Sequence, residues 1–389
     1  MKKIQHLKLK VLVVAMGLAA TGVQAAGVTA GDLLIYRIGT GAAALTSAAT
    51  SVFLDEYNTS GTLIQSIAMP SAVIGSNKIL TASGTASSEG ELTISPNGQY
   101  VTLTGYNAVA GTLNVAGTAS SAVNRTVGIY NVATGNIDTT TALTDAATTG
   151  NNIRSAVTTN GNDIWLAGAA GGVRYTTDGA TTSTQLSTTP TNIRQVEIFN
   201  GQLFASDSSG TAIRLGTVGT GEPTTAGQTI TNLPGFATAT GSPYSFFLTH
   251  LNGTGTDLDT LYVADDGIGI TKYSLANSTW VSNGTVGAAA DTYRGLTGVV
   301  NGSTVNLFAT GSGGTTAAGG GKLVSITDSS GYNAAFTASA TTLATAANQT
   351  AFRGVVYVPS SIAAVPVPGA IWLFGSALLG MIGFKRRKV

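Results

Sequence analysis

Short stretches rich in β-branched and aromatic residues, each broken by an Asn-Gly pair, recur along the middle of the chain. They are GELTISPNGQYVTLTG at 90–105, IRSAVTTNGNDIWLAG at 153–168, IRQVEIFNGQLFASD at 193–207, YSFFLTHLNGTGTDLDTLYVAD at 244–265 and YRGLTGVVNGSTVNLFATG at 293–311. The asparagines, Asn97, Asn160, Asn200, Asn252 and Asn301, are spaced by 63, 40, 52 and 49 residues. Asn-Gly accepts positive φ at both central positions of a type I′ turn, whose twist suits a tight hairpin. Each copy therefore predicts two antiparallel strands, with a longer turn at Gly253-Thr254-Gly255. A sixth pair, at Asn283, lies outside this register and predicts an ordinary surface turn.

More strands follow within the units. Gly172 to Tyr175 and Ser183 to Leu186 continue the second copy; Ile268 to Ser274 and Trp280-Val281 continue the fourth. Four short strands about every 40–60 residues mark the blade of a β-propeller. No helix-period segment interrupts them, so the expectation is an all-β fold. Phe352 to Tyr357 reads as an innermost strand with no hairpin after it. Leu33 to Tyr36, Val52 to Leu54 and Leu63 to Ile67 read as three strands lacking an innermost one. One blade closed by N- and C-terminal strands would leave no loose sheet edge. The expected count is six blades, or seven if the long 86–149 segment hides another.

The extremities have a different pattern. Lys2, Lys3, Lys8 and Lys10, the apolar run Val11 to Ala20 and the small residues of Val23-Gln24-Ala25 predict a signal peptide over 1–25, removed by an export signal peptidase. At the other end, Gly369 to Phe384 is free of charge. It measures about 24 Å as a helix, or about 33 Å counted from Ala363, against a hydrocarbon core about 30 Å thick. A single transmembrane helix is expected within 363–389, with Lys385 to Lys388 on the cytoplasmic side and the 27–362 domain facing outward. Val365-Pro366-Val367-Pro368, Trp372 to Ser376 and Arg386-Arg387 together resemble the PEP-CTERM sorting signal of Gram-negative exported proteins. That resemblance implies a transient stay in the inner membrane, cleavage near the prolines by an exosortase-type transpeptidase, and delivery to the cell surface or extracellular matrix. Val367 stands where many members carry glutamate, which points to a variant sorting machinery. The alternative is a permanently membrane-anchored envelope protein.

The middle region also resembles a family of exported bacterial propeller-like domains. The likeness is carried by SVFLDEYNTSGTLIQSIAMP, TASGTASSEGELTISPNGQYVTLTGYN, NNIRSAV, TPTNIRQVEIFNGQLF, LYVADDG and YRGLTG. It implies the fold and export and brings no assigned activity.

Charge changes once the ends are set aside. The middle keeps 11 basic residues against 18 acidic ones, a balance of −7, which argues against a nucleic-acid partner. There is no cysteine, so packing and backbone hydrogen bonds must hold an exported fold without disulfides. A surface of Thr, Ser, Asn and Gly suits a matrix-exposed protein, with exopolysaccharide as a partner.

Little conventional chemistry is available. His250, the one histidine outside the signal peptide, would have to carry any Ser-His-Asp arrangement; no nucleophile motif accompanies it, and it reads as a surface turn residue. Histidine or thiolate metal sites are excluded by the same counts. Asp257, Asp259, Asp265 and Asp266 form a weak candidate Ca²⁺ site, although their spacing fits no EF-hand and turn formation explains them; otherwise no cofactor is expected. Trp165, Trp280, Tyr262 and Tyr273 read as core.

Aligning the repeats exposes one constellation. Glu91, Arg154 and Arg194 each lie six residues before the Asn of their copy, Arg294 seven and Tyr244 eight, and Arg353 sits in the strand that completes the shared blade. All would gather at one mouth of the channel, where arginine forks bind carboxylate or phosphate. The competing reading has each guanidinium bonding backbone carbonyls, offset by Glu91. The expected function is a non-enzymatic binding or scaffold module. The alternative is a carboxylate-based glycan hydrolase or lyase, calcium-dependent or not, with paired carboxylates about 5–10 Å apart.

Overall fold

Alternate side chains of an inner strand face two different neighbouring sheets, so both of its faces are covered. Ile153–Thr158 is accordingly buried at every position. The computed structural model describes residues 27–360 apart from 146–148, 209, 211 and 239. The expected signal peptide and sorting tail, with Val365, Pro366, Val367, Pro368, Arg386 and Arg387, lie outside the described residues.

Four antiparallel sheets of four strands follow one another along the chain. The first comprises Ile153–Thr158, Asp163–Gly168, Arg174–Thr177 and Thr184–Gln185, and the second Gln195–Phe199, Gln202–Ser206, Leu215–Val218 and Ile230–Asn232. The third comprises Pro243–Thr249, Thr260–Asp265, Gly269–Ala276 and Thr279–Val286, and the fourth Gly295–Asn301, Thr304–Gly311, Lys322–Asp328 and Thr341–Thr345. A larger, eleven-stranded sheet contains both ends of the described chain. In it Thr350–Tyr357 pairs with Leu33–Ile38, which pairs with Ala49–Tyr57, which pairs with Leu63–Ala68. The same sheet holds Thr93–Ile94, Tyr100–Tyr106 and Arg125–Asn131, and the short strand Thr81–Ser83 links the two parts. The strands of 86–149 all belong to this one sheet, and no separate sheet forms there among the described residues; much of the stretch is the excursion 107–124, anchored by fully buried Val115.

Neighbouring inner strands are stitched into a closed ring. Gly354 N–H donates to Gly90 O at 2.9 Å and Glu91 N–H to Arg154 O at 3.1 Å. Val196 N–H donates to Ser155 Oγ at 3.0 Å, and Ser206 Oγ, from the second strand of its sheet, to Tyr244 O at 2.7 Å. Ser245 N–H donates to Arg294 O at 3.0 Å, and Tyr357 N–H to Thr297 Oγ1 at 3.1 Å, which returns to the starting strand. This is a propeller-like arrangement of small sheets. At the seam a Cβ on Gly354 would lie 2.4 Å from Leu92 N and 2.6 Å from Gly90 O, so no larger residue fits that crossing.

Separate apolar clusters fill the gaps between adjacent sheets. Trp165 is 2% exposed and donates Nε1–H to Pro223 O at 2.7 Å. Trp280 and Tyr262 are likewise buried and Tyr273 is partly so. The two 3-10 turns Val115–Gly117 and Ala289–Asp291 are the helical elements among the described residues, and no helix there is long and apolar enough to cross a membrane.

The turns differ from the expectation. Asn200-Gly201 alone has positive φ at both residues, 47° and 70°, in a tight hairpin where Phe199 pairs with Gln202. At Asn97 and Asn160 only the following glycine has positive φ, and the Asn side chain accepts backbone N–H bonds instead. Asn301 pairs with Thr304, so Gly302 and Ser303 form the turn. Asn283 is no surface turn: it lies inside Thr279–Val286 at a bulge, where the register passes from Lys272↔Gly284 to Tyr273↔Ser282.

Candidate functional site

Neighbouring inner strands run in the same direction, because their contacts advance in step: Glu91 meets Arg154 and Thr93 meets Ala156, while Gly295 packs on Gly354 and Thr297 meets Tyr357. Residues near the start of each strand therefore collect at one end. Arg154 is second in Ile153–Thr158 and Tyr244 second in Pro243–Thr249. Arg194 and Arg294 immediately precede their strands, Glu91 precedes Thr93–Ile94, and Arg353 lies within Thr350–Tyr357. The structure brings all six together.

Tyr244 is the hub. Its ring lies beneath the Arg194 guanidinium, with Cζ 4.6 Å from the centroid, and the Arg294 guanidinium at 5.1 Å. A cation over an aromatic face is held by the ring quadrupole. Arg194 Nε and Nη2 donate to Ser208 Oγ at 2.9 and 2.7 Å. Arg294 Nε and Nη2 donate to Asp266 Oδ2 at 3.0 and 2.9 Å, and its Nη1 to Ser87 O at 3.0 Å. Of the four arginines, only Arg294 forms an ion pair among the described residues.

The other two lie deeper. Arg154 donates Nη1–H to Asn192 Oδ1 at 2.5 Å and Ile193 O at 2.9 Å. Burial, then repulsion from Arg194, lowers its pKa to about 10. Arg353 makes longer bonds, to Gly84 O at 3.3 Å and Gly314 O at 3.5 Å, and burial lowers it to about 10 as well. The Nε of each is buried without a hydrogen-bond partner. The backbone-carbonyl reading thus describes Arg154 and Arg353, and does not describe Arg194. The cleft between Glu91, Arg294 and Arg353 has a volume of about 10 Å³, about enough for one water.

Glu91 is 1% exposed and accepts from Ser245 Oγ at 3.0 Å. Burial raises its carboxyl to about 7, against the pull of Ser245 and of Arg294, Arg194 and Arg154. The carboxyl thus changes charge near neutrality beside four guanidinium groups. Sequence spacing missed Ser245, Ser208 and Asn192, which orient these groups. It also missed Glu89, which is buried two residues before Glu91 and accepts from Ser83 N–H, Tyr106 OH and Asn152 Nδ2 at 2.9, 2.6 and 2.6 Å. The SSEGEL stretch contained the only available signal, two carboxylates flanking a glycine.

The aspartate candidates do not converge. Asp259 accepts from Leu251 N–H, Asn252 N–H and Thr260 Oγ1 and lies 2.7 Å from His250 Nδ1. Asp265 accepts from Ser242 and Gly267 N–H, Asp266 pairs with Arg294, and Asp257 is exposed. Turn capping and ion pairing occupy them, and no group of three or more His, Cys, Asp or Glu is placed to hold a metal among the described residues. His250 Nδ1 also lies 2.8 Å from Asp257 O; both neighbours are acceptors, so Nδ1 carries a proton.

No family model and no curated protein matches the chain. Solved structures with a similar arrangement include a candidate 6-phosphogluconolactonase from Bacteroides uniformis, at 16% identity and TM-score 0.42, covering 81% of this chain and 82% of that one. A chain of a nidogen/laminin complex matches at 14% identity and TM-score 0.47, covering 85% and 99%. The GH74 enzyme of Niastella koreensis matches at 15% identity and TM-score 0.43, covering 78% and 46%. These values assign neither a family nor an activity to this chain.

Proposed function

We propose that this chain is an exported, non-enzymatic binding or scaffold module that docks an acidic carbohydrate at its arginine-lined end. The observation that carries this reading is the Tyr244 hub. Arg194 lies over the ring with no carboxylate partner, while two deeper guanidiniums hold the local potential positive. A sugar carboxylate or phosphate would take the free edge of Arg194 in a charge-assisted fork, and the Tyr244 and Arg294 pair would form its back wall. The ring is read as six blades. Four are the four-stranded sheets; the fifth is built from 93–94, 100–106, 125–131 and 137–138; the sixth is closed by 350–357 with 33–38, 49–57 and 63–68. The resemblance of the tail to an exosortase signal supports sorting to the cell surface or matrix, and a mature mass that retains the KRRKV end would rule out that cleavage.

Titrating oligogalacturonate and its neutral methyl ester into the protein tests the site by calorimetry. The acid should bind at least about tenfold more tightly than the ester, and Arg194→Ala should remove about tenfold of that affinity. Equal binding of acid and ester, or release of shortened sugars, would overturn the reading.

A further inference from the structure

The inner strands end around a second pocket, at the opposite end of the ring from the arginines. Its volume is about 250 Å³, and Phe199, Phe246, Phe247, Leu296, Val356 and Tyr357 contribute to its wall. One ionisable acid, Glu197, lines it, and no lysine or arginine does. Glu197 is 8% exposed. Its Oε2 accepts from Gln195 Nε2 at 2.7 Å, and the Ile94 N–H also donates to the carboxyl. Gln195 Oε1, on the same side chain that supports it, is buried with no hydrogen-bond partner. The setting is the reverse of that of Glu91: an apolar, aromatic wall surrounds the group, and no cation is near enough to act on it.

We infer that this pocket binds an organic ammonium ion, a positively charged nitrogen on a compact apolar body. Two features point to that class. Aromatic faces attract a cation without demanding hydrogen bonds, and a lone buried carboxyl gains an ion pair it otherwise lacks. The apolar body covers the Leu296 and Val356 side of the wall. An anionic ligand would find no basic group there, and a neutral one would gain only the apolar contact. Burial holds the empty carboxyl well above its ordinary range, and an entering ammonium favours its ionised form.

The probes are n-hexylamine and its uncharged counterpart n-hexanol, titrated at pH 7 into the protein in phosphate buffer. Hexylamine should bind about tenfold or more tightly than hexanol. Glu197→Gln should erase that preference while leaving hexanol binding in place. The inference fails if the two probes bind alike or if neither binds. The comparison between probes needs no variant, so misfolding of Glu197→Gln would not obscure it.

Discussion

Glu91 and Arg154 show how position within one ring decides what a charged side chain does. Glu91 has its carboxyl raised from 4.5 to about 7 in the folded protein. The folded state then holds a proton more firmly than the unfolded one, so this group's stabilising effect is complete below about pH 4.5 and fades as pH climbs to about 7. Glu91→Gln should flatten that part of the curve, which urea midpoints measured against wild type at pH 4.5 and 7.5 would reveal. Proton uptake by Glu91 also removes a negative charge facing the arginines. Oligogalacturonate affinity should then increase several-fold, about three- to tenfold, between pH 8 and 6, and Glu91→Gln should abolish the change. Arg154 is different: its bonds to Asn192 and Ile193 tie neighbouring segments together. Arg154→Ala should cost about 2 kcal/mol of stability, whereas Arg194→Ala, whose guanidinium bonds a partly exposed serine, should shift the melting temperature by less than about 2 °C. The convergence of Arg154, Arg194, Arg294 and Arg353 was legible because a repeat that starts its inner strand in register delivers equivalent positions to the same end. The environment of Glu197 was not, since it depends on Ile94 across the ring.

Among the elements, most strands are readable as apolar alternation, and the hairpins as Asn-Gly, but turn geometry is not contained in that pair of letters. Asn-Gly at Asn200 is a type I′ turn, whereas at Asn283 pairing with Gly269–Ala276 absorbs it into a strand as a bulge. Tertiary pairing overrides the local preference. Gly201, at φ 70°, should lose about 1 kcal/mol on replacement by alanine. Asn301→Ala should be nearly neutral, because Gly302 bears the positive φ there. Denaturant midpoints of the two variants would separate them. The aspartates of 257–266 are engaged one by one: Asp259 accepts from Leu251 and Asn252 N–H, Asp265 from Ser242 and Gly267 N–H, and Asp266 pairs with Arg294. The Thr81–Ser83 link within the large sheet had no sequence signal, being three residues paired at both sides by register alone.

At the scale of the molecule, the strand Leu33–Ile38 is sandwiched between Thr350–Tyr357 and Ala49–Tyr57. Removing residues 350–360 should expose its backbone edge and replace a single cooperative melt by a broad, lower transition. Circular dichroism would record it, with stopping after Ser360 as the control that leaves the melt unchanged. Leu33 lies opposite Tyr357, more than three hundred residues further on, and such distant pairing makes folding slow. The clasp therefore cannot fasten until residue 357 has been made. A nascent molecule must wait with its first strand half-partnered, and during that wait another copy's last strand has the same shape and the same hydrogen bonds to offer. Crowded chains that carry Thr350–Tyr357 but have not yet closed should thus exchange these strands and emerge as interlocked pairs, an outcome that dilution during refolding would suppress.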